Sequence, residues 1–265
     1  MCGRYILQRE PHVLANHFET TNAIPNYAPN YNVAPTQDGL VVRRHPESGA
    51  RSLDQLRWGL VPRWAKDASG GARLINARAD GVADKPSFRD AFTRRRCLVP
   101  ADGFFEWRQE EPGPKQPYAI ALRSGEPMAL AGLWEGWKQP DGTWLRTYSI
   151  ITTDANQRMS ALHHRMPVIL PREHWPAWLG EAEAGRDDLL GLLRPCPEDW
   201  LAVWPVDKRV NRVAENDPSL LARAPRPPGD DLDDPPALHP AGSGGSGGPD
   251  RGQGGSAPLE PPPGA

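Results

Sequence analysis

Short runs of β-branched and aromatic residues, each bounded by Gly, Pro or Asp, set the pattern of the first 220 positions. They lie at 40–44 (LVVRR), 96–99, 118–122 (YAIAL), 128–134 and 143–152. Runs of this length and composition predict strands of an antiparallel or mixed sheet. Pro140-Asp141-Gly142, between the last two, predicts a hairpin. Helical signals are brief, at 11–18, 87–92, 154–161 with Asp154 as N-cap, and 171–179. Regular strand–helix alternation is missing. The pattern therefore predicts an α+β fold, a curled and mostly antiparallel mixed β-sheet, barrel-like, with short flanking helices.

The pattern changes near residue 221. Residues 221–265 hold 11 Pro and 10 Gly and no aromatic, too little apolar area to offset the entropy of ordering. This predicts two parts, a folded body at 1–220 and a disordered Pro/Gly-rich tail at 221–265. Of the 31 Lys+Arg and 33 Asp+Glu, the body carries 28 and 27. A body of net charge +1 does not coat nucleic acid through bulk charge, which takes many cations on one face, but it is compatible with a local basic groove. No run of about 18 apolar residues exists, and MCGRYILQRE is too charged for a signal peptide, so a cytoplasmic protein without membrane contact is expected. Cys2, Cys97 and Cys196 are odd in number and far apart, which excludes a disulfide framework and a CxxC zinc site. Ten Trp are expected mostly in the core or in cleft walls, with a few on the surface as a stacking platform.

Candidate chemistry begins at Cys2. A side chain this small after an initiator Met permits removal of the Met, which would expose an α-amine of pKa about 7.7–8.0 beside a thiol of about 8.5. An amine condenses with an aldehyde to an imine, and a thiol on the neighbouring carbon closes on it to a five-membered thiazolidine. Asn76 and Arg78 stand two residues apart and so on one side of an extended segment. Glu106 sits among Phe104, Phe105 and Trp107, surroundings that raise a carboxyl pKa and suit it to acid–base work. His163 and His164 precede Arg165; neighbouring imidazoles in an extended segment point apart, which disfavours a metal site. Cys97 is expected buried and inert, and Cys196, between two prolines, in a loop.

Six segments in order, Met1-Cys2-Gly3-Arg4-Tyr5, Tyr31-Asn32-Val33-Ala34-Pro35, Arg57-Trp58-Gly59-Leu60-Val61-Pro62 with Trp64, Ile75-Asn76-Ala77-Arg78, Ala101-Asp102-Gly103-Phe104-Phe105-Glu106-Trp107 and His163-His164-Arg165-Met166-Pro167, resemble the motifs of the SOS-response-associated peptidase (SRAP) family. The resemblance spans roughly residues 2 to 217. It implies a protein that senses abasic sites in single-stranded DNA and joins them covalently through the N-terminal cysteine, as a thiazolidine with the ring-opened sugar. By motif match Cys2 is the nucleophile, Asn76 positions it and polarises the reacting centre, Glu106 handles protons at the α-amine, and His163 assists ring opening and the reverse reaction. Arg4, Arg78 and Arg165 match phosphate-contacting arginines, and Trp64 an aromatic wedge near the base stack. No cofactor is implied, and a one-to-one adduct on nucleoid DNA requires only a monomer.

Two other readings stand beside this one. A thiol near Glu and His is also a peptide-cleaving arrangement, with removal of Met1 as its one proteolytic act and lyase-type chemistry at the sugar as a further outcome. A passive single-strand binder would bury Cys2 and use Asn76, Glu106 and His163 as core hydrogen-bonding groups. The Arg94-Arg95-Arg96 run lies either on the DNA groove or on a solvated face.

Overall fold

The computed structural model describes residues 2–110, 113–225, 233, 235 and 236. Twelve strands follow in chain order: β1 (Tyr5–Leu7), β2 (Asn30–Val33), β3 (Asp38–Arg44), β4 (Arg51–Trp58), β5 (Asn76–Arg78), β6 (Arg96–Ala101), β7 (Gly103–Arg108), β8 (Gln116–Leu122), β9 (Met128–Lys138), β10 (Trp144–Asp154), β11 (Arg165–Pro167) and β12 (Leu201–Pro205). The α-helices are short: α1 (Pro11–Phe18), α2 (Arg89–Arg94), α3 (Gln157–Ser160), α4 (Trp175–Leu179) and α5 (Arg186–Gly191). None of them is long and apolar enough to cross a membrane.

All five expected strands form, and each extends beyond its apolar run where a neighbour supplies hydrogen bonds. The expected hairpin joins β9 to β10. Asp141 Oδ1 accepts from Thr143 N at 2.9 Å, and Gly142 takes φ +88°, a conformation that favours glycine. The helix expected at 154–161 is a correction. Asp154 stays in β10, opposite Arg165 of β11, and the cap moves to Asn156, whose side chain accepts from Met159 N at 2.9 Å. The stretch at 171–179 splits into a 3₁₀ turn, Arg172–His174, and α4.

Strands β10, β4, β3, β6 and β9 are paired in a ring that closes between β9 and β10, a five-stranded barrel in which only β4 and β10 run parallel. A second, antiparallel sheet has the order β12-β8-β7-β1-β2. The two are joined through Tyr5 of β1. Its hydroxyl meets that of Tyr148 of β10 at 2.7 Å, and its ring packs edge-on to Trp58 at 5.2 Å. Glycine at position 39 permits this, because a Cβ there would lie 2.1 and 2.3 Å from the two hydroxyl oxygens.

A second latch holds the other end of β1. Asp102, wholly buried, accepts from Gln8 N at 2.7 Å and Arg9 N at 3.1 Å and pairs with the buried Arg9 guanidinium. Removing one partner leaves a buried charge uncompensated, so Asp102→Ala is expected to lower stability by about 3–5 kcal/mol, measured from the midpoint of urea unfolding.

The body continues past residue 220. Arg223 bridges to Val206, Ala224 N donates to Pro205 O at 2.9 Å, and Asp233 accepts from Val203 N at 3.1 Å and pairs with Arg123 and Arg158. Apart from Pro235 and Pro236, the tail beyond residue 225 that remains, including the Gly/Ser run at 242–248, lies outside the described residues.

Candidate active site

Antiparallel pairing brings the amino terminus to β7. Tyr5 lies opposite Phe104, and Phe105 N donates to Arg4 O at 2.9 Å. Continuing that register places Gly3 opposite Glu106, with Cys2 next to it. Strand β5 reaches the same place from the barrel, since Asn76 is paired in parallel with Ile150 of β10. The Asn76 side chain donates from Nδ2 to Cys2 O at 2.8 Å. Its Oδ1 is buried and accepts no hydrogen bond.

Cys2 is fully buried. Burial pushes its thiol well above the ordinary range, the Glu106 charge pushes it further, and the Arg4 backbone N–H partly opposes both. The Glu106 carboxyl is likewise raised, chiefly by burial. Both shifts run toward the protonated form, which for Cys2 differs from the ordinary thiol the sequence suggests.

His163 enters from α3 by way of the turn into β11. Its Nδ1 lies 3.0 Å from Arg165 N and 3.3 Å from Arg165 O; with the shorter contact as the hydrogen bond, Nδ1 accepts and the neutral ring carries its hydrogen on Nε2. Burial lowers its pKa to about 4, which leaves it neutral at physiological pH. Lys115 acts electrostatically on both Glu106 and His163, which puts these two groups in one neighbourhood. Sequence spacing gives no signal for Lys115.

The residues matched to DNA contacts divide into two kinds. Trp64 is 66% exposed, with Nε1 donating to Pro86 O at 3.5 Å. Arg78 is exposed and pairs with Asp80 at 2.8 Å. Arg4 and Arg165 are instead committed within the protein. Arg4 donates to Asn32 Oδ1 and Val210 O, each at 2.8 Å. Arg165 is 4% exposed, donates to Thr152 O, and reaches Asp80 at 3.3 Å and Asp154 at 3.4 Å. Asp80 and Asp154 have no motif of their own, and only the pairing of β10 with β5 and β11 brings them together. Cys97 and Cys196 are buried away from this cluster, Cys196 within a loop as expected. Among the described residues no group of three or more His, Cys, Asp or Glu is placed to hold a metal ion.

The arrangement supplies a buried thiol, a carboxyl next to it, an amide that fixes the backbone between them, and a neutral imidazole donor. The family model for SOS response associated peptidase (SRAP) matches residues 1–213. The abasic site processing protein YoqW of Bacillus subtilis is 41% identical over 223 residues, 83% of this chain and 99% of that protein. The abasic site processing protein HMCES of Gallus gallus is 35% identical over 225 residues, 74% of this chain and 66% of that one. A crystal structure of a protein from Bacteroides thetaiotaomicron superposes with a TM-score of 0.76 at 27% identity, covering 84% of this chain and all of that one.

Proposed function

The chain belongs to the SOS response associated peptidase family, and on that premise we propose that it processes abasic sites in single-stranded DNA by covalent capture through Cys2 once Met1 has been removed. The Asn76–Cys2 hydrogen bond beside Glu106 carries the proposal, because it fixes the residue whose amine and thiol must meet one carbon. The closed sugar opens to an aldehyde as the proton of its anomeric hydroxyl passes through water to the ring oxygen, while the Nε2–H of the neutral His163 ring hydrogen-bonds to that oxygen and stays on its nitrogen. The α-amine adds to the aldehyde carbon, and the carbinolamine loses water to an imine. The thiol sulfur then adds to that carbon while its proton passes to nitrogen, which closes the thiazolidine.

Glu106 takes protons from the attacking amine and returns one to the departing hydroxyl. A carboxyl raised by burial suits both duties, since it exchanges protons nearer neutral pH than an ordinary glutamate. Held together by Asn76 and β7, amine and thiol react intramolecularly in the second step, which removes the entropy of a second encounter.

The test is incubation of the processed protein with an abasic single-stranded oligonucleotide. The expected product survives heating and has the mass of the Met-free protein plus the oligonucleotide less one water. Glu106→Gln is expected to slow its formation by about 100-fold, the low end for loss of a general acid–base group. The part of the rise with pH that comes from ionisation of Glu106 should vanish in that variant, leaving the rise set by the α-amine. Turnover of peptides with no abasic adduct would replace this reading with the hydrolase.

A further inference from the structure

Cys2 lines none of four open cavities; the one of about 470 Å³ runs from Arg44 to Arg96 and Gly180, and the other three gather around Arg63. Three adjoining cavities of about 360, 400 and 230 Å³ share this residue. Arg94 and Arg95 line the first, Lys66, Lys138 and Trp144 the second, and Trp144 and Arg146 the third. The chemistry of the trough is cationic and aromatic. Its carboxylates are Asp90, beside Arg89, and the buried Glu135, which is paired with Arg95 at 2.8 Å.

Elsewhere the surface arginines are mostly spent on carboxylates, as Arg51, Arg172, Arg186 and Arg209 are. Arg63, Arg94, Arg146, Lys66 and Lys138 form no ion pair among the described residues. A body of net charge near zero has thus gathered uncommitted cations in one place.

Trp144 supplies the second feature. It is 51% exposed, and its ring lies along Gly136 of β9, where an added Cβ would come within 3.5 Å of the ring. One side of the indole is backed by the strand and the rest is open to the trough. An exposed ring flanked by arginines is a platform on which a base can stack while its phosphates are neutralised. The trough is also aligned with the candidate site. Strand β10 carries Trp144 and Arg146 at one end and, at Ile150, the partner of Asn76. Four residues at about 3.3 Å each separate Arg146 from that point by about 13 Å. Trp64 follows Arg63 directly in the chain.

We infer that this trough is a second binding surface for single-stranded DNA, holding the strand that flanks the lesion, with a base stacked on Trp144 and phosphates on Arg63, Arg146 and Arg94. The inference rests on the proposed function for the identity of the DNA and adds a subsite to it.

The test is binding of the full-length protein to an undamaged oligothymidylate of about 12 nucleotides, a length within the site size of single-strand binding folds, by fluorescence anisotropy at several salt concentrations. Trp144→Ala is expected to weaken binding at least about fivefold, the low end for loss of one stacking aromatic, and Trp144→Phe to restore most of it. Arg63→Ala and Arg146→Ala are each expected to lower the slope of log affinity against log salt by about 0.7, and both sites are exposed enough for the variants to fold. In wild type, lengthening the flank of an abasic oligonucleotide is expected to speed capture, and Trp144→Ala to remove that dependence. Unchanged affinity and salt slope in all these variants would overturn the trough while leaving capture at Cys2 standing. Wild-type protein that binds oligothymidylate through Trp144 but forms no abasic adduct would overturn the proposed function and leave the trough.

Discussion

Cys2→Ala is expected to eliminate the heat-stable abasic adduct, while Cys97→Ala and Cys196→Ala leave it at the wild-type level, as read on a denaturing gel after heating. Thiol acidity does not separate the three. Burial raises the Cys97 and Cys196 thiols as well, Cys196 to about 12. Cys97 is packed in the barrel wall against Gly132, and Cys196 lies in a loop before the 3₁₀ turn Glu198–Trp200 that leads into β12. What Cys2 has, and the other two lack, is an α-amine on its own Cα once Met1 is gone, with Glu106 and Asn76 beside it. Cys2→Ser sharpens the point. It keeps the amine and the shape, so an imine still forms, but the hydroxyl is a far weaker nucleophile and the product should not survive heating. Full adduct from Cys2→Ala would move the chemistry to another residue.

The parts of this site were unequally visible in the sequence. Glu106 was legible because it follows Phe104 and Phe105, both buried, on β7, and burial raises its carboxyl as that composition predicts. Asn76 and Arg78 were legible as one extended stretch, but the bond from Asn76 to the Cys2 carbonyl depends on β5 docking on β10 and β1 on β7, two pairings between distant segments. Arg165 reads as a DNA contact from its motif, and its guanidinium is tied to Thr152, Asp80 and Asp154, because β10 gathers residues from three stretches of chain. The Cys2 thiol reads as ordinary in isolation. Only the fold shows it enclosed.

The same division holds for the architecture. The Pro140-Asp141-Gly142 hairpin and the five apolar runs are local, and local propensity finds them. Strand β7 hid within a motif, and three-residue β1 has too little sequence to carry a signal. Closure of the barrel depends on the parallel pairing of Arg57 with Thr147 and Trp58 with Tyr148, about 90 residues apart in the chain, a contact that no local pattern encodes.

Protein in which Cys2 is preceded by any residue is expected to form no heat-stable adduct, a loss as complete as that of Cys2→Ala although every side chain of the site is retained. With Met1 in place the Cys2 nitrogen is an amide, its lone pair delocalised into the carbonyl, and it does not condense with an aldehyde. The thiol alone gives a hemithioacetal, which reverts on heating. An amine further along gives an imine that is lost on heating unless borohydride reduces it, and it lacks a thiol on the adjacent carbon to close the ring. The sharpest comparison uses one chain with a tag and a protease site ending directly before Cys2. The uncut protein should be inert, the same sample after cleavage should capture, and the mass of the cut amino terminus should match capture in proportion. A heat-stable adduct from the uncut chain would show that the α-amine takes no part, and with it the thiazolidine and the acid–base duties given to Glu106 would go.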